Sequence, residues 1–261
     1  MTQMKTKDEL DEHRRHLADM VEYYARTATT YNEWHGNLQA RGAHNFAVAK
    51  LVNLVKTSDY NRVLDVCCGT GRAVKTCLDN DIDAQGVDIS QDLINEGIRT
   101  WNLPASRLTC ADATQLPFPD EHFDVSCVLG GLHHSALPFQ VIEEMVRVTR
   151  HAIVVSDEGN HWHRGLKTIL QKLRIFPLAY RLIFRRAPRV TRRITNSAED
   201  GPAYDFSTNE ILPTIVKNFS EVQTYQFYRF RNSHVVSSRL PLLFARNVVV
   251  IADKKRPARH P

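Results

Sequence analysis

No stretch of this 261-residue sequence approaches the ~18 consecutive apolar residues of a membrane-spanning helix. Its opening, MTQMKTKDELDEHRRH, lacks the apolar core of a secretory signal. A soluble, cytoplasmic protein without targeting is the expectation. The five cysteines (67, 68, 77, 110 and 127) include no CxxC pair, and no histidines stand at zinc-finger spacing. That excludes a disulfide framework and a structural zinc finger, and the cysteines read as buried thiols. Acidic residues are absent from one segment: Arg164 to Arg193 holds ten Lys/Arg and no Asp or Glu. The other 24 basic residues face 29 acidic ones, so a formal charge of +5 becomes −5 outside that segment. Basicity therefore belongs to one stretch, which argues against nucleic-acid binding by the whole domain.

What is present suits one sizeable globular domain, with 43% hydrophobic residues. Leu10, Leu17, Met20, Val21, Tyr24 and Ala28 recur at spacings near 3 and 4, which predicts an amphipathic helix over 8–28, and a second helical pattern covers 43–56. Short apolar runs at 62–66, 84–88, 107–111, 123–129 and 152–156 then alternate with helical windows at 71–79, 91–100 and 138–148. This rhythm indicates βαβ units and a parallel sheet covered on both faces. A helix at 207–218 is followed by two β-rich runs, 221–231 and 243–252, with no helix between them. They predict a terminal hairpin with an antiparallel strand on the sheet edge. The expected fold is α/β: a doubly wound, mostly parallel seven-stranded sheet with an antiparallel edge strand. Its core would comprise 43–156 and 207–253, with an N-terminal helical lid (1–42), a basic helical insertion (157–206) and a tail (254–261).

The strongest local signal is Val63-Leu64-Asp65-Val66-Cys67-Cys68-Gly69-Thr70-Gly71, a buried strand entering a glycine turn that opens a helix. Gly69 and Gly71 remove side chains where the backbone must turn sharply and a ligand must come close. Asp88 ends the second strand 19 residues after Gly69, where a carboxylate can accept from both hydroxyls of a ribose. Asp112 ends the third strand 24 residues further on, where it can accept from an exocyclic adenine amine. A dehydrogenase would usually carry GxGxxG, which DVCCGTGRA does not match. Asp124 suits an orienting role on the fourth strand. Cys127 suits packing, since it lacks a preceding proline.

VLDVCCGTG, GVDIS, the CADATQLPFPDEHFDVSCVLGGLHH block and the antiparallel tail together resemble the class I S-adenosylmethionine-dependent methyltransferases. The similarity is to the broad group holding ubiquinone/menaquinone, sterol and natural-product methyltransferases. It covers about 60–156 well and the tail in outline. It implies methyl transfer to a small-molecule acceptor, with S-adenosylhomocysteine as the product. By the same resemblance, Asp65 and the Cys67–Gly71 loop would lie against the methionine end of the cofactor. Asp88 would bind the ribose, Ile89 would cover one adenine face, and Asp112 with the Ala113 backbone would read the adenine edge. Leu129 and Gly130 would line the methyl-donor pocket, and Tyr31, beside Trp34, would close the lid over it. One departure is Cys67, where the family usually has glycine.

After the fourth strand the sequence reads Leu129-Gly130-Gly131-Leu132-His133-His134. A neutral imidazole is the natural base for a hydroxyl acceptor, so His133 or His134 is the catalytic candidate. No Asp/Asn-Pro-Pro-aromatic motif is present, which disfavours methylation of adenine or amide nitrogen. The cluster Ser156-Asp157-Glu158-Gly159-Asn160-His161-Trp162-His163 admits a divalent metal or a second base, although ordinary hydrogen bonding is the plainer reading and no metal is expected. Two helical segments within 164–186, broken near Pro177, interleave apolar residues with Lys/Arg. Three roles are open for them: a cap on the acceptor pocket, peripheral contact of 164–193 with an anionic membrane bearing a lipid-like acceptor, or binding of an anionic acceptor. RNA is the weakest of these ligands, because no aromatics line an extended basic groove. A macromolecule-modifying enzyme and a catalytically idle cofactor-binding subunit are the alternatives of the same fold.

Overall fold

In the computed structural model, residues 7–35, 42–158, 194–197, 201–204, 206–230, 233–237 and 247–254 are described. Five strands run parallel: β1 (Arg62–Val66), β2 (Asp83–Asp88), β3 (Leu108–Cys110), β4 (Phe123–Leu129) and β5 (Thr149–Glu158). The apolar runs predicted at 62–66 and 123–129 are β1 and β4 to the residue. Two short strands, β6 (Ile194–Ser197) and β7 (Gly201–Tyr204), pair as a separate antiparallel hairpin. The tail supplies β8 (Glu221–Phe230), β9 (Ser233–Ser237) and β10 (Asn247–Asp253).

The main sheet has the order β3-β2-β1-β4-β5-β10-β8-β9. Its seven expected strands are β1 to β5, β8 and β10. β10 inserts between β5 and β8, antiparallel to both, and the outermost strand, β9, is antiparallel to β8. Strand order reverses between β1 and β4, the position where open α/β sheets bind ligands at the carboxyl ends of their strands.

Six helices flank the sheet: α1 (Lys7–His35), α2 (Gly42–Ser58), α3 (Arg72–Leu78), α4 (Gln91–Trp101), α5 (Pro138–Val148) and, among the described residues, last α6 (Thr208–Asn218). One face buries Val141, Ile142 and Met145 of α5 with Ile211 and Ile215 of α6. The other buries Leu51 and Val55 of α2 with Val74 and Ile94. Burial of such side chains, worth about 1.5–3 kcal/mol each, fixes which face every strand residue takes. A register shift between Phe123 and Val125 sends those two side chains to opposite faces. The predicted insertion 157–206 begins with the end of β5 and finishes with β6 and β7; its basic helical part, 164–193, lies outside the described residues. Among the described residues no helix is long and apolar enough to cross a membrane.

Candidate active site

A cleft of about 290 Å³ opens at the carboxyl ends of β1, β2, β4 and β5, bounded on its outer side by α1. β1 delivers Asp65 into its floor, fully buried. The Cys127 thiol donates to Asp65 Oδ1 at 3.4 Å. Burial, reinforced by the nearby Asp88 carboxylate, pushes the Asp65 carboxyl up to about 7, against the pull of Cys127 and Arg72. Cys127 thus packs in the core, as expected, while also touching a site residue.

The loop after β1 turns through left-handed backbone at Cys67 (φ 55°), Gly69 (56°) and Gly71 (74°). Asp88 holds that loop. Its Oδ2 accepts from Gly69 N–H at 2.8 Å and its Oδ1 from Ser90 N–H at 2.9 Å. Burial raises the Asp88 carboxyl above its ordinary range, although these backbone donors favour the ionised form. An ionised carboxylate has about four acceptor positions, so acceptor capacity remains for a ribose.

Asp112 follows β3. Its Oδ1 accepts from Thr114 N–H at 2.8 Å, and its Oδ2 lies 2.8 Å from Nε2 of His13, a residue of α1. Ile89, Ala113 and Leu93 line the same end of the cleft. At the opposite end, the Tyr31 hydroxyl lies 3.3 Å from where a Cβ on Gly69 would stand. Asn32 Oδ1 accepts from the Thr70 hydroxyl at 2.9 Å. Asn32 Nδ2 is buried without a hydrogen-bond partner among the described residues, a donor suited to a ligand carboxylate. These residues fit S-adenosylmethionine: a spare amide donor beside Gly69 at the methionine end, Asp88 midway, and Asp112 against an apolar slot at the adenine end.

The acceptor end is built from the β4 terminus. Leu129 and Gly130 line the cleft, and Gly130 N–H donates to Ser156 O at 2.7 Å. One 3-10 turn, Leu132–His134, then presents both histidines. His133 is buried, with Nδ1 2.8 Å from Asp157 Oδ1, while Asp157 Oδ2 accepts from Leu132 N–H at 2.8 Å. His134 Nδ1 donates to Pro202 O of β7 at 2.8 Å, and His16 Nε2 of α1 donates to His134 O at 2.6 Å. The two strand-end histidines are therefore unlike: one is backed by a buried carboxylate and the other by a backbone carbonyl.

The structure brings Tyr31, Asp65, Cys67, Gly69, Asp88, Ile89, Asp112, Ala113, Leu129, Gly130, His133 and His134 to this one cleft. Gly71 turns the loop just behind it, its Cβ position filled by Leu103. Asp157 belongs to β5 and orients His133, whereas Gly159–His163 of its cluster lies outside the described residues. Among the described residues no group of three or more His, Cys, Asp or Glu is placed to hold a metal. Asp124 orients the start of β1, accepting from Asn61 and Arg62 N–H at 3.0 and 3.1 Å. Sequence reasoning missed three residues of the site: His13, Asn32 and His44. His44 of α2 lies with Nδ1 2.9 Å from Ser156 Oγ and Nε2 3.0 Å from a Cβ position on Gly130. His13 and His44 fall within the helices expected over 8–28 and 43–56, and Asn32 stands next to Tyr31 of the expected lid.

Residues 63–152 match a family model described as a methyltransferase domain. Demethylmenaquinone methyltransferase of Paenarthrobacter aurescens is 36% identical over 89 residues, 34% of each chain. The 27-O-demethylrifamycin SV methyltransferase of Amycolatopsis mediterranei is 31% identical over 106 residues, 39% of each. The match thus spans little more than a third of these relatives' length. Magnesium protoporphyrin IX methyltransferase from Synechocystis, solved with bound S-adenosylhomocysteine, superposes with a TM-score of 0.59 at 16% identity, covering 92% of this chain and 100% of that one. A possible histamine N-methyltransferase from Thermotoga maritima gives 0.55 at 18% identity, over 90% and 100%. Residues 63–152 are thus similar to a methyltransferase domain, and the fold is that of solved S-adenosylmethionine-dependent methyltransferases.

Proposed function

We propose that this chain transfers a methyl group from S-adenosylmethionine to a hydroxyl oxygen of a small-molecule acceptor, with His133 as general base. The observation that carries this reading is the His133–Asp157 pair. Asp157 accepts from Leu132 N–H and from His133 Nδ1–H, which fixes the tautomer whose basic lone pair is on Nε2. Bound S-adenosylmethionine supplies an electrophilic methyl group on a positively charged sulfur. His133 Nε2 takes the hydroxyl proton as the oxygen–methyl bond forms and the sulfur–methyl bond breaks, and the Asp157 carboxylate stabilises the resulting imidazolium. His134 Nδ1 donates to the Pro202 carbonyl, a bond that fixes the loop against β7.

The relatives' names point to quinone and natural-product acceptors, so hydroxylated compounds of both kinds form the first panel. The basic segment 164–193, for which a cap, a membrane contact and an anionic-acceptor site are all open from sequence, adds anionic and lipid-like members. Methyl-labelled S-adenosylmethionine is incubated with the panel and the product's methylated atom is identified. His133→Ala is expected to lower kcat by roughly 10²–10⁴, with Asp157→Asn following it and His134→Ala losing far less. Affinity for S-adenosylhomocysteine is retained in all three. Full turnover by His133→Ala removes histidine from the chemistry, and a carbon- or nitrogen-methylated product overturns the oxygen reading.

A further inference from the structure

The contact between His13 and Asp112 joins residues 99 positions apart and brings the N-terminal helix to the adenine end of the cleft. His13 is 6% exposed. Its Nε2 lies 2.8 Å from Asp112 Oδ2 and 3.4 Å from the Thr114 hydroxyl, and its Nδ1 is buried with no hydrogen-bond partner among the described residues. Burying an imidazole with one nitrogen unsatisfied is unfavourable, so general packing does not account for a histidine here. An apolar residue would fill the space without that cost. What histidine adds is a directed N–H toward the carboxylate.

Three observations tie this pair to the ligand slot. Asp112 remains 30% exposed at its side chain and lines the cleft, so it is held by His13 on one side and presented on the other. Leu17 and Met20, one and two turns along α1 from His13, line the cleft as well, opposite Ile89 and Leu93. Met20 and Leu93 pack in one buried cluster. The slot's outer wall is therefore α1, fastened at this end by His13 to Asp112 and Thr114.

We infer that His13 is a positioning residue for purine recognition: by donating to Asp112 it holds that carboxylate as an acceptor facing the slot, selecting a 6-amino purine over a 6-oxo purine. The inference rests on the reading that this cleft binds S-adenosylmethionine. The chemistry is a matter of donor and acceptor pairing. A 6-amino group donates to the carboxylate, whereas a 6-oxo group turns an acceptor toward an acceptor. With Oδ2 engaged by His13 and Oδ1 by Thr114 N–H, the Asp112 side chain has no rotation that keeps both bonds and also relieves that clash. Ionisation is favoured too: although burial opposes it, the bonds from His13 and Thr114 hold the Asp112 carboxyl below its ordinary range.

The test is calorimetric titration of the full chain with S-adenosylhomocysteine and with S-inosylhomocysteine, which differ at the 6-substituent and, with it, at N1, an acceptor in adenine and an N–H donor in hypoxanthine. The native chain is expected to prefer the adenosyl ligand. In His13→Ala the adenosyl affinity falls by roughly tenfold or more, and the preference narrows, since Asp112 can turn. His13→Gln, which keeps a side-chain N–H, restores most of both. The ratio of the two affinities does not depend on how much of a variant is folded, so a purely structural role for His13 would leave it unmoved. An unchanged ratio in His13→Ala overturns this inference while leaving the cofactor reading intact. Failure of the native chain to bind either ligand overturns both.

Discussion

A Cβ placed on Gly131 would stand 2.4 Å from the Cβ of Cys67 and 3.2 Å from its Sγ. The thiol that replaces the family's usual glycine is therefore accommodated by a glycine facing it at the end of β4. Cys67 also adopts left-handed backbone, φ 55°, which costs an L-residue about 1–2 kcal/mol. Gly131→Ala is expected to destabilise the fold by about 1–3 kcal/mol through overpacking. It should also reduce turnover, because it displaces the turn that carries His133. Cys67→Gly in the same chain removes the opposing Cβ and should restore most of the loss. Urea unfolding of the two single variants and the double gives the coupling directly. Additive effects would show that the two positions do not share this space.

Asp88 is the hinge between loop and ligand, since Gly69 N–H and Ser90 N–H both donate to it. Asp88→Ala strands those donors and removes the acceptor for ribose hydroxyls. Hydrogen bonds to a charged group are worth about 1.5–3 kcal/mol each, so losing two should lower the affinity for S-adenosylhomocysteine by roughly 10²–10⁴-fold. Asp88→Asn keeps the shape and should lie between. Titration calorimetry measures both, and an unchanged Kd for Asp88→Ala means the ribose lies elsewhere.

The strand-end carboxylates were legible because their logic is local: an apolar run, an acid at its carboxyl end, and a fold that gathers those ends. Predicted and observed bounds agree for β1, β4 and α5, where apolar stretches stop abruptly at polar or turn-forming residues. β5 is longer than the predicted 152–156. Its polar ends, Thr149-Arg150 and Asp157-Glu158, are held by partners: Asp157 and Glu158 pair with Val248 and Asn247 of β10, about 90 residues away. The hairpin β6–β7 was missed for a similar reason. It is short and packs against α1, with Tyr23 filling the Cβ space of Gly201 and His16 set against Tyr204 at 4.4 Å. His13, Asn32 and His44 reach their partners across 99, 38 and 112 residues, and no periodicity marks such a meeting. Nothing in the sequence distinguishes His133 from His134; in the structure Asp157 stands behind the first and the Pro202 carbonyl behind the second.

Asp65 gives the ligand-free chain a dependence on pH whose sign can be worked out. Its carboxyl is raised from 3.8 to about 7, chiefly by burial, so the folded state holds a proton that the unfolded chain has lost. Where the folded state binds more protons, stability falls as pH rises. The Asp65 contribution is thus fully present below about 4 and lost as pH climbs through about 7, a change on the order of 4 kcal/mol. Asp88, also raised by burial, acts in the same direction. Asp65→Asn keeps the shape of the protonated acid, including an acceptor for the Cys127 thiol, and cannot ionise. Between about pH 5 and about pH 8, urea unfolding should show the native chain losing stability more steeply than Asp65→Asn. A ligand carrying an ammonium group at the methionine end favours the ionised carboxylate, so its binding to the native chain should strengthen as pH rises through about 7 and release a proton below it. S-adenosylhomocysteine titrated in buffers of different ionisation enthalpy reads that proton. Equal pH slopes for the native chain and Asp65→Asn would place the titrating group elsewhere.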